Sequence, residues 1–182
     1  GVAVLYIHAL NPHGFSHLRR VTHENVDLNR NFHDFRQPLP VNPAYDELHS
    51  ALVPAEWPPT ADTEARIAHY IGQHGLNRYQ AAVSQGQHHH PDGLFYGGIA
   101  PTWSNLTLRQ VLRQHAQTAR HIAWIDLHTG LGPSGLGERI FAGRDDVDAM
   151  RRARAWWGGD GQTPVTSIYD GTSTSTRLTG LM

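Results

Sequence analysis

Cysteine is absent from the 182 residues, which rules out a disulfide framework, a thiolate metal site and a cysteine nucleophile. Lysine is absent as well, so all 15 basic residues are arginine, the side chain whose planar fork matches carboxylates best. Charge excess is small. A net charge of -1 favours neither nucleic acid nor an anionic membrane as a partner. No apolar run approaches the ~20 residues of a membrane span, and no signal-peptide pattern is visible, so the expectation is a cytoplasmic protein without membrane or nucleic-acid partners. No P-loop, nucleophile elbow or His-Glu-x-x-His is present, and no histidine has a glutamate three residues on.

What is present is a hydrophobic content of 39%, enough for one domain with a real core, and 14 histidines. The histidines fit a compositional bias as well as they fit metal binding. Continuous apolar runs at Val2–Ile7 and His121–Leu127 read as strands buried on both faces, with a weaker strand at Pro164–Tyr169. Ala61–His74 reads as a helix starting after Thr60 and stopping at Gly75. Asn105–Arg120 and Asp145–Trp157 read as further helices, and a short one lies between the proline-rich loops Gln37–Pro43 and Val53–Pro59. Helices between strands predict an α/β fold with a mixed, mostly parallel sheet. Gln85–Pro101 is long, rich in His, Gly and aromatics, and reads as a functional loop. The apolar run that opens the chain and the Thr/Ser-rich close suggest an internal fragment, incomplete at both ends.

Ligands of open α/β sheets bind beyond the carboxyl ends of the strands. Asn11-Pro12-His13-Gly14 and His128-Thr129-Gly130 both follow expected strands. His128 is a candidate zinc ligand or a histidine satisfied locally, and Asp126, two residues earlier on an extended strand, points the same way and could hold it. Asp27-Leu28-Asn29-Arg30 places an amide and a guanidinium side by side, donors suited to a carboxylate. Arg20 is either a surface arginine or a group that stabilises a developing oxyanion. Three consecutive histidines, His88-His89-His90, cannot all converge on one ion in regular structure. The Pro91–Gly98 stretch beyond them combines turn residues with Phe95 and Tyr96, apt for lining a pocket.

Asn11–Phe15, Leu18-Arg19-Arg20, Val26–Phe32, Gln85–Gly98 and Asp126–Gly130 together resemble the zinc carboxypeptidase family, including its desuccinylase-like amino-acid deacylase relatives. The resemblance implies that residues 1–182 are the central part of a single carboxypeptidase-like catalytic domain. It implies that His128 is the third zinc ligand, that Asn29 and Arg30 hold the substrate's terminal carboxylate, that Arg20, or in second place Arg19, polarises the scissile carbonyl, and that Asp27 orients a zinc-bound histidine. The residues themselves offer Tyr96 as lining of the substrate pocket and Asp126 as the group behind His128. In such enzymes Zn2+ activates a water for attack on an amide next to a free carboxylate. The family's first two ligands, a His-x-x-Glu before the first strand, and its late general-base Glu have no counterpart here, and Glu138 does not match the base. The expected substrate is a small peptide or an acyl-amino acid. Two other readings stand beside a hydrolase: a non-catalytic descendant that binds carboxylates, and a histidine-rich metal-storage protein.

Overall fold

The computed structural model describes residues 2–128, 133–158 and 163–182. Its backbone divides into two compact units, one formed by residues 1–108 with 177–182 and the other by residues 109–176. No composition shift in the sequence marks this division.

The first unit is helical. After a short helix α1 (Pro12–His17) and a single 3-10 turn at Leu28–Arg30 come α2 (Pro43–Leu52), α3 (Ala61–His74) and α4 (Leu76–Ser84). Local signals set these bounds. Asn42 caps α2 by accepting from the Tyr45 N–H, with Pro43 in the first turn, where a missing N–H costs nothing. Thr60 caps α3 through the Thr63 N–H, and Gly75 ends it at φ 81°, a conformation that side chains with a Cβ rarely adopt. The three helices close on a core of Leu48, Tyr70 and Ala82, joined by Ala44, Leu52, Tyr79 and Val83. α5 (Trp103–Ala116) begins in this unit, burying Ser104, Asn105 and Leu108.

The second unit contains β1 (Arg139–Phe141), α6 (Val147–Trp157) and β2 (Val165–Ser167). β1 and β2 pair in parallel, Ile140 opposite Thr166, and the intervening helix supplies the crossover that a parallel pair requires. Asp146 caps α6 by accepting from the Asp148 and Ala149 N–H groups, and these bonds hold its carboxyl below the usual range.

The architecture is therefore mixed α/β with six helices and a two-stranded parallel sheet among the described residues. Two expected strands are corrected. Val2–Ile7 and His121–Leu127 are irregular and exposed, with Val2 at 93% and Leu127 at 88% of full accessibility. Their sequences have strand composition, but a strand exists only through ladder hydrogen bonds to a neighbour, and among the described residues neither run meets one. The expected larger sheet is absent from these residues for the same reason. No helix among them is long and apolar enough to cross a membrane.

Candidate functional site

The segment 20–31 is folded by short-range polar bonds. Thr22 and Val26 exchange backbone and hydroxyl bonds across a tight turn with Asn25 at φ 64°. Asp27 then accepts the Asn29 N–H with Oδ1 at 3.0 Å and Nε of Arg20 with Oδ2 at 2.8 Å. Val26, Asp27, Leu28, Asn29, Arg30 and Asn31 are all buried, a run in which polar side chains outnumber apolar ones. Such burial is tolerated only where each group finds a partner.

Arg30 is 2% exposed. Its Nε donates to the Ser84 carbonyl at 3.0 Å, its Nη1 to the Asn29 carbonyl at 2.7 Å, and its Nη2 also reaches Ser84. Both acceptors are neutral carbonyls. Burial pulls its pKa down to about 10, opposed by nearby Asp27 and assisted by Arg20, so it stays protonated at neutral pH. Two guanidiniums thus stand near one carboxylate, which of the two is bonded to Arg20 alone, and the cluster carries net positive charge. Both Arg20 and Arg30 lie 5.2 Å from the centroid of the Phe95 ring, within cation–π range. Arg20 is the accessible member, its side chain 54% exposed against 4% for Asp27.

The 85–101 loop closes over this cluster. Gln87 and Tyr96 form an isolated bridge, the Gln87 side chain accepts the His89 and His90 N–H groups, and the Tyr96 carbonyl accepts the Asp27 N–H at 2.8 Å. Tyr96 is buried, which pushes its phenol pKa up. Asn31, fully buried, donates to the Gly97 and Ala100 carbonyls and accepts from Thr102, and Asn105 of α5 donates to the Asn31 carbonyl at 2.7 Å. Two glycines are required by close approach. A Cβ on Gly86, at φ 106°, would meet Arg30 Cδ at 2.6 Å, and one on Gly97 would collide with the His88 ring.

The structure therefore brings Arg20, Asp27, Asn29, Arg30 and Tyr96 into one neighbourhood of the first unit. Asn29 accepts the Met182 N–H on its side-chain oxygen at 3.4 Å. Phe95, offered by the sequence with Tyr96 as pocket lining, is the ring that both guanidiniums approach; it sits at φ 51°, an uncommon conformation for a bulky residue that accumulates at functional sites. In the second unit His128 Nε2 and Asp126 Oδ2 are 2.6 Å apart, with side chains 53% and 33% exposed. A carboxylate on one imidazole nitrogen is the arrangement that orients a histidine ligand. Thr129 and Gly130 of that motif lie outside the described residues. Glu138 accepts from the Thr166 hydroxyl and the Thr174 N–H; burial raises its pKa, and the bonds from Thr174 and Thr166 outweigh this and lower it.

As a zinc site, His128 with Asp126 supplies one ligand and its outer carboxylate, whereas zinc takes three or four protein ligands. Among the described residues the group of three possible metal-holding side chains is a different one, His49, His90 and Asp92. The three consecutive histidines diverge. His88 is buried, its Nδ1 2.6 Å from the Gly98 carbonyl, while His89 and His90 reach the two oxygens of Asp46.

No curated protein and no solved structure matches the chain. A family profile described as "Protein of unknown function (DUF2817)" matches residues 1–182, and the chain belongs to that family.

Proposed function

We propose that this chain is the carboxylate-gripping central part of a zinc carboxypeptidase-like hydrolase, cleaving an amide next to a free carboxylate in a small peptide or acyl-amino acid. The observation that carries this reading is the excess positive charge beside Phe95: two guanidiniums, one of them buried on neutral carbonyls, against the single carboxylate of Asp27. A buried cation bonded to neutral carbonyls is under-compensated, and an incoming carboxylate supplies the missing charge. Arg20 presents the solvent-facing guanidinium; Asn29 and Arg30 fix the backbone and the field behind it.

When bound, zinc supplies an activated water. His128, held by Asp126, is this chain's contribution to the metal, and on this reading the remaining ligands and the base belong to the parent polypeptide, as does a cytoplasmic location. A second reading is favoured by the single-ligand set: a family descendant that binds carboxylates without cleaving them. Titrating an N-acetylated dipeptide and its C-terminal amide into the protein separates the possibilities. Binding of the free acid but not the amide, weakened strongly by Arg20→Gln and Arg30→Ala, supports the carboxylate site. Equal binding of acid and amide removes it. In the complete protein Arg30→Ala raises KM for carboxylate substrates, and an unchanged KM sinks the hydrolase assignment.

A further inference from the structure

The 85–101 loop meets α2 through side chains that the carboxylate cluster does not use. His49 stands in the last turn of α2 and Asp46 one turn before it; His90 and Asp92 come from the loop. We propose that His49, His90 and Asp92 form a binding site for a divalent cation of the zinc class, which fastens the loop to α2. The site shares no residue with the carboxylate cluster or with His128, and it stands whether or not the chain belongs to a hydrolase.

Three observations converge. One possible ligand atom from each of the three residues lies within 4.8 Å of the others. Two donors on a four-coordinate zinc, each at about 2.1 Å, sit about 3.4 Å apart, so closing the group requires movements on the order of 1 Å. The His49 Nε2 to Asp92 Oδ1 distance is already 3.5 Å. That is long for a hydrogen bond and close to the separation of two ligands on one ion.

His49 is also short of internal partners. Its Nδ1 is buried and without a hydrogen bond, and its Nε2 has only the long contact to Asp92. A mostly buried imidazole with neither nitrogen well bonded is an expensive way to fill space. His90 is held differently. Its Nε2 lies 2.9 Å from Asp46 Oδ1, which assigns the proton to Nε2 and leaves Nδ1 with a lone pair, the carboxylate–imidazole arrangement found behind metal-ligating histidines.

Charge completes the case. The His49 and His90 rings stack at 3.8 Å with an interplanar angle of 19°, so ligation in the plane of both rings requires one of them to turn out of the stack, and the His90 side chain, 26% exposed, is the one that reaches solvent. Asp46 and Asp92 balance a dication, and with three protein donors the fourth position falls to water. The ion would bridge α2 to the segment that continues into Phe95, Tyr96 and Gly97.

The test uses the full chain, stripped with a chelator and titrated with zinc chloride by calorimetry, with cobalt(II) absorption as a read-out of coordination geometry. The expected result is a bound equivalent that His128→Ala retains and that His49→Gln and Asp92→Asn each weaken tenfold or more, with loss of the tetrahedral cobalt bands. Asp92 is 69% exposed, so Asp92→Asn probes the site without threatening the fold. An isotherm for Asp92→Asn that matches the unsubstituted protein overturns the proposal. So does zinc uptake that falls only with His128→Ala, or no uptake at all.

Discussion

Arg20 and Asp27 meet through a single bond, Nε to Oδ2 at 2.8 Å, between a half-exposed guanidinium and a buried carboxylate. The asymmetry matters because the carboxylate has other work: it caps the 3-10 turn through the Asn29 N–H and offsets the charge of Arg30.

The two ends of that pair should therefore respond differently to truncation. Asp27→Ala leaves a buried N–H and a buried cation uncompensated and is expected to destabilise by about 2–3 kcal/mol. Arg20→Ala removes a half-exposed partner and should cost less than about 1 kcal/mol. Urea unfolding of both variants checks this; equal losses would show that Asp27 does no more than hold Arg20.

Gly86→Ala places a methyl group against Arg30 Cδ at a backbone φ of 106°. Strain and displacement of the guanidinium together should cost about 2 kcal/mol or more. Because Arg30 is displaced, affinity for an acetylated dipeptide should fall alongside stability, whereas Gly72→Ala, where a Cβ meets nothing, should leave both unchanged or slightly improved.

Asn31 joins residues far apart in sequence, bonding Gly97, Ala100 and Thr102 with its side chain and Asn105 with its carbonyl. Asn31→Ala strands several buried groups at once, and the expected loss is on the order of 3 kcal/mol. Asn31→Asp should fare as badly, since a carboxylate cannot donate to the Gly97 and Ala100 carbonyls. Thermal denaturation of the two variants decides it.

Acid should destabilise the first unit through His33 and its neighbour His88. The rings lie 5.0 Å apart, both Nε2 atoms are buried without a hydrogen bond, and burial pushes both pKa values below the ordinary 6.5. The unfolded chain takes up these protons near 6.5 and the folded chain only at lower pH. The unfolded state thus binds more protons in that window, and stability falls as pH drops through and below 6.5. The urea midpoint of chelator-treated protein should decrease between pH 7.5 and 5.5, with a shallower decrease in His33→Gln; a midpoint indifferent to pH would remove the effect.

The sequence was most legible where its signals are local. α3 runs from Ala61 to His74 as the Thr60 cap and Gly75 stop require, and β2 falls inside the expected 164–169 segment. Val2–Ile7 and His121–Leu127 were misread because composition reports how well a segment would suit a sheet, not whether a neighbouring strand is there to pair with. The burial of Arg30 was hidden for a related reason: its acceptor, the Ser84 carbonyl, is 54 positions away. The His49–His90–Asp92 group was equally invisible, since only the return of the loop onto α2 brings those residues together.

The open apolar run at the start of the described chain has a practical consequence. Residues 2–7 carry no charge and no proline, include β-branched and aromatic side chains, and stand largely in solvent. That is the composition from which ladders between molecules begin. Concentrated samples should therefore lose material by slow intermolecular β-pairing well below the melting temperature. Colloidal lifetime, rather than the free energy of unfolding, will set how long binding experiments can run, and a single Lys in place of Val4 should extend it.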